Sequence, residues 1–212
     1  IRTTRATADS QRYALSARTL TLVRFAPMLQ PFTLIPHPAL PATALDGIAG
    51  HIELAPSALM LRFTLMGNLN HIRIPPRRPP GFADNLWRHT CCEAFLRREG
   101  QASYHEFNLA PSGEWAAYAF ARTRERLSLD PTITAALDPH ITVCRGENQL
   151  DLDAIIRLDR LPLGDRKVTL ALAAVVEDIS GNLSYWALRH PLDKPDFHHP
   201  DAFVIALDEI GH

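Results

Sequence analysis

Long apolar runs are missing from this chain of 212 residues. None approaches the roughly 20 residues needed to span a bilayer, so no membrane partner is expected. Clustered positive charge is missing too. The 22 Lys and Arg are scattered among 23 Asp and Glu for a net charge of -1, which leaves no electrostatic footprint for nucleic acid. Cysteine is sparse: Cys91 and Cys92 are adjacent and Cys144 stands apart. No CxxC occurs, so a thiolate zinc site has no basis. An odd number of cysteines in apolar segments fits reduced core thiols in a reducing compartment better than a disulfide framework. The first residues, IRTTRATADSQRYALSA, lack the apolar stretch of a secretory signal, and a cytoplasmic location is expected. There is no GxSxG, no HExxH and no phosphate loop, which leaves several hydrolase classes without support.

Helical periodicity is also rare, while short alternating or wholly apolar runs recur with turn residues between them, the pattern of strands. The expected strands are Leu20–Phe25, Ile48–Leu54, Leu59–Leu65, Leu69–Ile74, Cys92–Arg97, Ser103–Leu109, Trp115–Ala121, Ile141–Cys144, Gln149–Arg157, Lys167–Glu177, Leu183–Leu188 and Ala202–Leu207. Gly67-Asn68, Glu99-Gly100, Ser112-Gly113, Gly146-Glu147-Asn148 and Ser180-Gly181-Asn182 lie between such runs, where residues tolerant of positive φ make hairpins. The proline-rich stretches Pro27 to Pro41 and Ile74 to Phe82 remove ladder donors and read as loops or edges. No linker or repeat divides the chain. These signs predict an all-β fold, an antiparallel two-sheet β-sandwich of jelly-roll type, as a single domain over 18–212 behind a flexible segment 1–17.

Hydrophobic residues make up 46% of the chain, enough for a sizeable core; the informative residues are the polar ones placed among them. In Ser103–Leu109 alternation puts Tyr104, Glu106 and Asn108 on one face and His105, Phe107 and Leu109 on the other. An aromatic, a carboxylate and a carboxamide in one row suit a hydroxyl-rich ligand, because carboxylates and amides satisfy neighbouring hydroxyls and aromatic faces pack on sugar C–H patches. A solvated face is the competing interpretation. If the chain is extended from Leu86, the same parity gathers Trp87, His89, Cys91, Glu93 and Phe95 on one side. Trp115, Tyr118 and Phe120 belong to a strand poor in charge, which points to core.

The stretches LWRHTCCEAFL, YHEFNLAPSGEWAAYAF, YWALRHP and PDFHHPDAF together resemble the DOMON-like proteins of bacteria, relatives of family 9 carbohydrate-binding modules. The resemblance runs from about Ile48 to the C-terminus. It implies a β-sandwich with a concave sheet that takes a small ligand: a sugar in the carbohydrate modules, haem in the cytochrome branch. In the sugar binders a Trp and a Glu six residues later supply a wall and a hydrogen-bonding group, matched by Trp87 and Glu93. Glu106 and Asn108 match polar groups two apart on the next strand, and Trp186 matches a second tryptophan wall. The relatives carry a basic residue where Glu106 stands and an asparagine shortly before the second Trp, approximated by Asn182. The resemblance therefore implies a non-catalytic binder of a small saccharide.

Three other chemistries are represented. His190, Asp193, Asp196, His198, His199 and Asp201 have the composition of a metal site, calcium if the aspartates and carbonyls act alone, although the prolines among them equally describe a stiff loop. Haem would need an axial pair drawn from Met28, Met60 or Met66 and a histidine. A carbohydrate-active enzyme would use Glu93 and Glu106 as its carboxylate pair, with His105 at hand. No cofactor is expected.

Overall fold

The computed structural model describes residues 29–40, 45–163 and 167–207. Its strands are β1 (Leu29–Pro36), β2 (Gly47–Ala55), β3 (Ala58–Met66), β4 (Gly81–Phe82), β5 (Cys91–Arg98), β6 (Tyr104–Leu109), β7 (Glu114–Arg122) and β8 (Glu125–Leu127). After the short helix α1 (Pro131–Ala136) come β9 (His140–Arg145), β10 (Gln149–Arg157), β11 (Val168–Glu177), β12 (Leu183–Ala187) and β13 (Ile205–Leu207). The chain is nearly all-β, and among the described residues helix is confined to α1 and single 3-10 turns. Among the described residues no helix is long and apolar enough to cross a membrane.

The architecture does not confirm the expected two-sheet sandwich. The strands form one continuous sheet in the order β4-β7-β6-β5-β11-β12-β1-β2-β3-β10-β9, with β13 on β11 and β8 on β7. It is curled into a half-barrel. The joint is β1, which pairs with β2 from Leu29 to Leu34 and then, through Ile35 and Pro36, with β12. Curling lets both halves share one core: Ile48, Phe63 and Leu152 from one side join Leu96, Phe107 and Leu172 from the other in a single buried cluster. Burying each such side chain contributes ~1.5–3 kcal/mol.

Within the stretch Pro27 to Pro41, expected as a loop or an edge, β1 makes an edge. Over Leu29–Leu34 it has one paired neighbour, an edge position that tolerates Pro31 because no second ladder needs its N–H. Two expected strands shrink. Leu69–Ile74 becomes a 3-10 turn at Leu69–His71, capped by the Asn68 side chain, followed by a bridge of Ile72 to Asp178. Ala202–Leu207 becomes the end of a 3-10 turn and the three-residue β13. The Gly67-Asn68 turn thus leads out of β3 into that 3-10 turn and makes no hairpin. The hairpins at Gly100, Gly113 and Gly181 are as expected, with φ of 77°, 94° and 88° that a side chain would strain. The strand expected at Leu20–Phe25, and the segment 1–17, lie outside the described residues. All three cysteines are free; Cys91 and Cys92 are buried, but Cys144 is exposed and is not the core residue expected.

Candidate functional site

Register decides what the outer face of the second half presents. Glu93 on β5 is opposite Asn108 on β6, Phe95 is opposite Glu106, and Glu106 is in turn opposite Tyr118 on β7. Residues directly opposite point to the same side, so Glu93, Glu106, Asn108, Tyr104, Tyr118 and Phe120 share one face while Phe107, Leu109 and Trp115 share the other. The parity of the β6 row is therefore as expected. The row is not a solvated face: Glu93 and Glu106 are only 3% and 4% exposed, and Asn108 is fully buried.

Above this floor is a cavity of about 370 Å³. Trp87, Tyr118, Phe120, Tyr185 and Phe197 supply aromatic surface, Arg124, Arg126 and His198 supply nitrogen, and Glu93 and Glu106 lie at the base. Two clamps hold the walls. The Tyr118 hydroxyl donates to Asp84 Oδ1 and accepts weakly from the Asn85 N–H at 3.4 Å. Asn85 takes the left-handed conformation (φ 64°) and starts the 3-10 turn Leu86–Arg88 that carries Trp87. The second clamp is Arg124, also left-handed at φ 60°, whose N–H donates to the Tyr104 hydroxyl at 3.2 Å and whose guanidinium grips Asp196 at 2.7 Å. Asp196 accepts from the His198 N–H, and so sets His198 over the floor.

The electrostatics follow from burial. Glu93 is pushed well above the usual carboxyl range by loss of water and, next, by the neighbouring Glu106. Its Oε1 is buried without a hydrogen-bond partner. Burial also raises Glu106, to about 7, against the lowering effect of the hydrogen bond from Asn108 and of Arg126 and Arg124. Asn108 Nδ2 donates to Glu106 Oε1 at 2.5 Å. His198 is lowered to about 4, first by burial and then by Arg124, so at neutral pH its ring is uncharged. The Tyr104 hydroxyl, which accepts from the Arg124 N–H, also shares a hydrogen bond with His198 Nδ1 at 2.8 Å, its direction set by the ring's tautomer. His198 Nε2 is 3.8 Å from Glu106 Oε2.

Of the residues expected to form a site, Trp87, Glu93 and Glu106 line this cavity. Asn108 and Tyr104 stand just behind, hydrogen-bonded to Glu106 and His198. Trp186 does not join them. It is 3% exposed, one residue out of phase with the pocket-lining Tyr185, and packs in the shared core with its Nε1 donating to Ser184 Oγ. Asn182 is likewise turned away, binding Asp178 in the β11–β12 hairpin. Trp87 reaches the cavity by a different route from the expected extended strand, since Leu86–Arg88 is a 3-10 turn and His89 leaves to pair with Glu177 at 2.7 Å. Tyr118 and Phe120, expected as core, do pack in a second buried cluster yet also face the cavity. Arg124, Arg126, Tyr185 and Phe197 carried no signal beyond their side chains, because turns and loops bring in Arg124 and Phe197 and strand pairing aims Arg126 on β8 and Tyr185 on β12.

The proposed metal set is dispersed. Among the described residues no group of three or more His, Cys, Asp or Glu is arranged to hold an ion. His190 bonds the Ile35 carbonyl at 2.9 Å, Asp196 holds Arg124, His198 meets Tyr104, and His199 caps a 3-10 turn by accepting from the Asp201 N–H. Met60 and Met66 line neither this cavity nor the larger one of about 840 Å³ on the far side of Tyr118 and Arg126. That larger groove is bounded by Phe82, Trp115, Leu127, Leu129 and Pro131, with Asp138 as its acid. The smaller cavity is the better candidate because convergent polar groups with shifted protonation mark binding sites more reliably than volume.

No protein-family model matches the chain, and no curated protein matches it. Solved structures do. A protein from Bacteroides uniformis, whose carbohydrate-binding role is itself a proposal, aligns with a TM-score of 0.63 at 16% identity over 84% of each chain. The two share a fold. A family 9 carbohydrate-binding module from Caldicellulosiruptor kristjanssonii, in complex with cellotriose, aligns with a TM-score of 0.44 at 9% identity over 73% of this chain and 71% of that one.

Proposed function

We propose that this chain is a non-catalytic binding domain for a small saccharide, held in the cavity over Glu93 and Glu106. The observation that carries the reading is the pairing of a hydrogen-bonding carboxylate floor with aromatic walls in one small, well-formed pocket. Hydroxyls of a sugar would donate to Glu93 and Glu106, and its C–H faces would pack on Trp87 and Tyr118. A cavity of about 370 Å³ suits one or two rings rather than a polymer. Each polar contact contributes a net ~0.5–1.5 kcal/mol, so the dissociation constant falls in the micromolar to millimolar range. The fold shared with the Bacteroides uniformis protein and the sequence resemblance to DOMON-like proteins are in keeping with this role.

The carboxylate arrangement also bears on catalysis. In glycoside hydrolases the two carboxyl groups flank the scissile bond, whereas Glu93 and Glu106 lie side by side on adjacent strands of one floor. They meet a ligand from the same side. The test is a fluorescence titration with mono- and disaccharides, with the ligand recovered and analysed afterwards. Binding that Trp87→Ala or Glu93→Gln weakens, with the sugar returned intact, supports the reading; hydrolysed sugar, or binding that neither variant affects, overturns it.

A further inference from the structure

Resting on that binding reading, the geometry points to the ligand's class: we infer that the pocket selects a sugar bearing a protonated amine, with the ammonium group seated between Glu93 and Glu106.

The first reason is the unpaired oxygen. Glu93 is almost wholly buried, lines the cavity, and leaves Oε1 without any hydrogen-bond partner. A buried acceptor left unmatched is destabilising, and a ligand donor removes that penalty. Glu106 has one oxygen engaged by Asn108, and its other oxygen has only the distant His198 Nε2 at 3.8 Å. Among the described residues neither acid forms an ion pair with Lys or Arg.

The second reason is the disposition of the charged and titratable groups that line the cavity or stand directly behind its lining. On the floor, Tyr104, Tyr118, Asn108 and the buried thiol of Cys91 are neutral. From the roof, His198 is neutral. The two cations, Arg124 and Arg126, lower Glu106 through space yet each faces an acid of its own: Asp196 at 2.7 Å, and Asp84 at 4.0 Å with the Arg126 guanidinium lying 3.9 Å over the Tyr118 ring. Arg88 also acts on Asp84, and with Asp196 and Asp84 so placed neither guanidinium that lines the cavity is committed to the acids at its base. The third reason is the wall: Trp87, Tyr118, Tyr185 and Phe197 surround the cavity with aromatic surface, which attracts an ammonium through the ring quadrupole. A neutral sugar satisfies the unpaired oxygen but brings no charge to balance ionised acids at the base.

The inference has a proton signature. Glu106 retains its proton up to about pH 7 and burial raises Glu93 in the same direction, so at pH 6 the pair holds up to two protons. An ammonium seated between two ionised acids sends those protons to solvent; a hydroxyl donor releases none.

The experiment is isothermal titration calorimetry at pH 6 in two buffers of different ionisation heat. The probes are glucosamine, galactosamine and mannosamine, each against its parent hexose and its N-acetyl form, with glucuronate and tetramethylammonium alongside. The expected result is that at least one amine binds tenfold or more tighter than its parent and its N-acetyl form, with release of up to two protons, and that Glu93→Gln and Glu106→Gln each erase most of that preference. The two variants serve as mutual checks on folding, together with their thermal unfolding curves. A parent hexose or N-acetyl sugar that binds as well as the amines, or tighter binding of glucuronate, overturns the amine inference and leaves the saccharide reading standing. Tetramethylammonium bound more tightly than any sugar retires the saccharide reading and keeps ammonium recognition. Absence of binding by all probes overturns both.

Discussion

The two faces of β5, β6 and β7 are built from the same backbone and are buried to nearly the same degree, yet they do different things. Phe107 and Asn108 are successive residues, both inaccessible to solvent. Phe107 enters the shared core with Leu96, Leu109 and Trp115; Asn108 faces Glu93 and Glu106. Burial by itself does not separate core from site. What separates them is the cost of what is buried: apolar groups gain from losing water, whereas an unpaired carboxylate oxygen loses by it. A polar group kept at that cost is the informative residue.

The largest expected effect tests the inner face. Replacing Trp186 or Trp115 by Ala should cost about 3–5 kcal/mol of folding stability in a denaturant titration, as truncation of a core aromatic does. If Trp186→Ala instead leaves stability intact and abolishes ligand binding, the two faces have been exchanged.

Next comes the pH dependence of the outer face. Glu106 is raised from 4.5 to about 7 on folding, so between those values the folded chain binds more protons than the unfolded one. The sign follows: this group's contribution is fully present below about pH 4.5 and is lost as pH rises through about 7, a loss of up to about 3 kcal/mol. Burial of Glu93 acts in the same direction. Glu106→Gln should flatten this part of the stability curve, measured as the unfolding midpoint from pH 4 to pH 8. A wild-type curve that climbs through the window would break the account of the floor.

A smaller effect belongs to the rim. Trp87 is 44% exposed, and Trp87→Ala should weaken ligand binding by ~0.5–1.5 kcal/mol beyond the lost contact area while shifting the thermal midpoint little. The smallest is a control on the solvent side of the other half. Arg62 pairs bidentately with Asp153 across β3 and β10 at 2.6 and 2.8 Å, but both are largely exposed. A double-mutant cycle should return only ~0.2–1 kcal/mol, less at high salt.

Local pattern was enough to determine a good deal. Alternation along Tyr104–Leu109 assigned Glu106 and Asn108 to one face and Phe107 to the other, because side-chain direction in a strand is set by the backbone pleat. Positive-φ residues at Gly100, Gly113 and Gly181 placed three hairpins, because a turn's dihedral angles are local. Spacing failed where a contact is made by residues distant in the chain. Pro31 marked a loop or an edge, and only the single paired neighbour that β2 supplies for its strand decided for the edge. Trp186 and Tyr185 differ by one position, and only the pairing of β12 with β11 and β1 decides which ring enters the core and which the cavity. Arg124, Arg126 and His198 reach the pocket through a tight hairpin and a proline-rich loop whose paths are set by Tyr104, Asp196 and Tyr118. Periodicity carries direction along a strand and nothing about its neighbours. The floor of the site was therefore written in the sequence, while its walls, its roof and the curl of a single sheet came from contacts that only the folded chain makes.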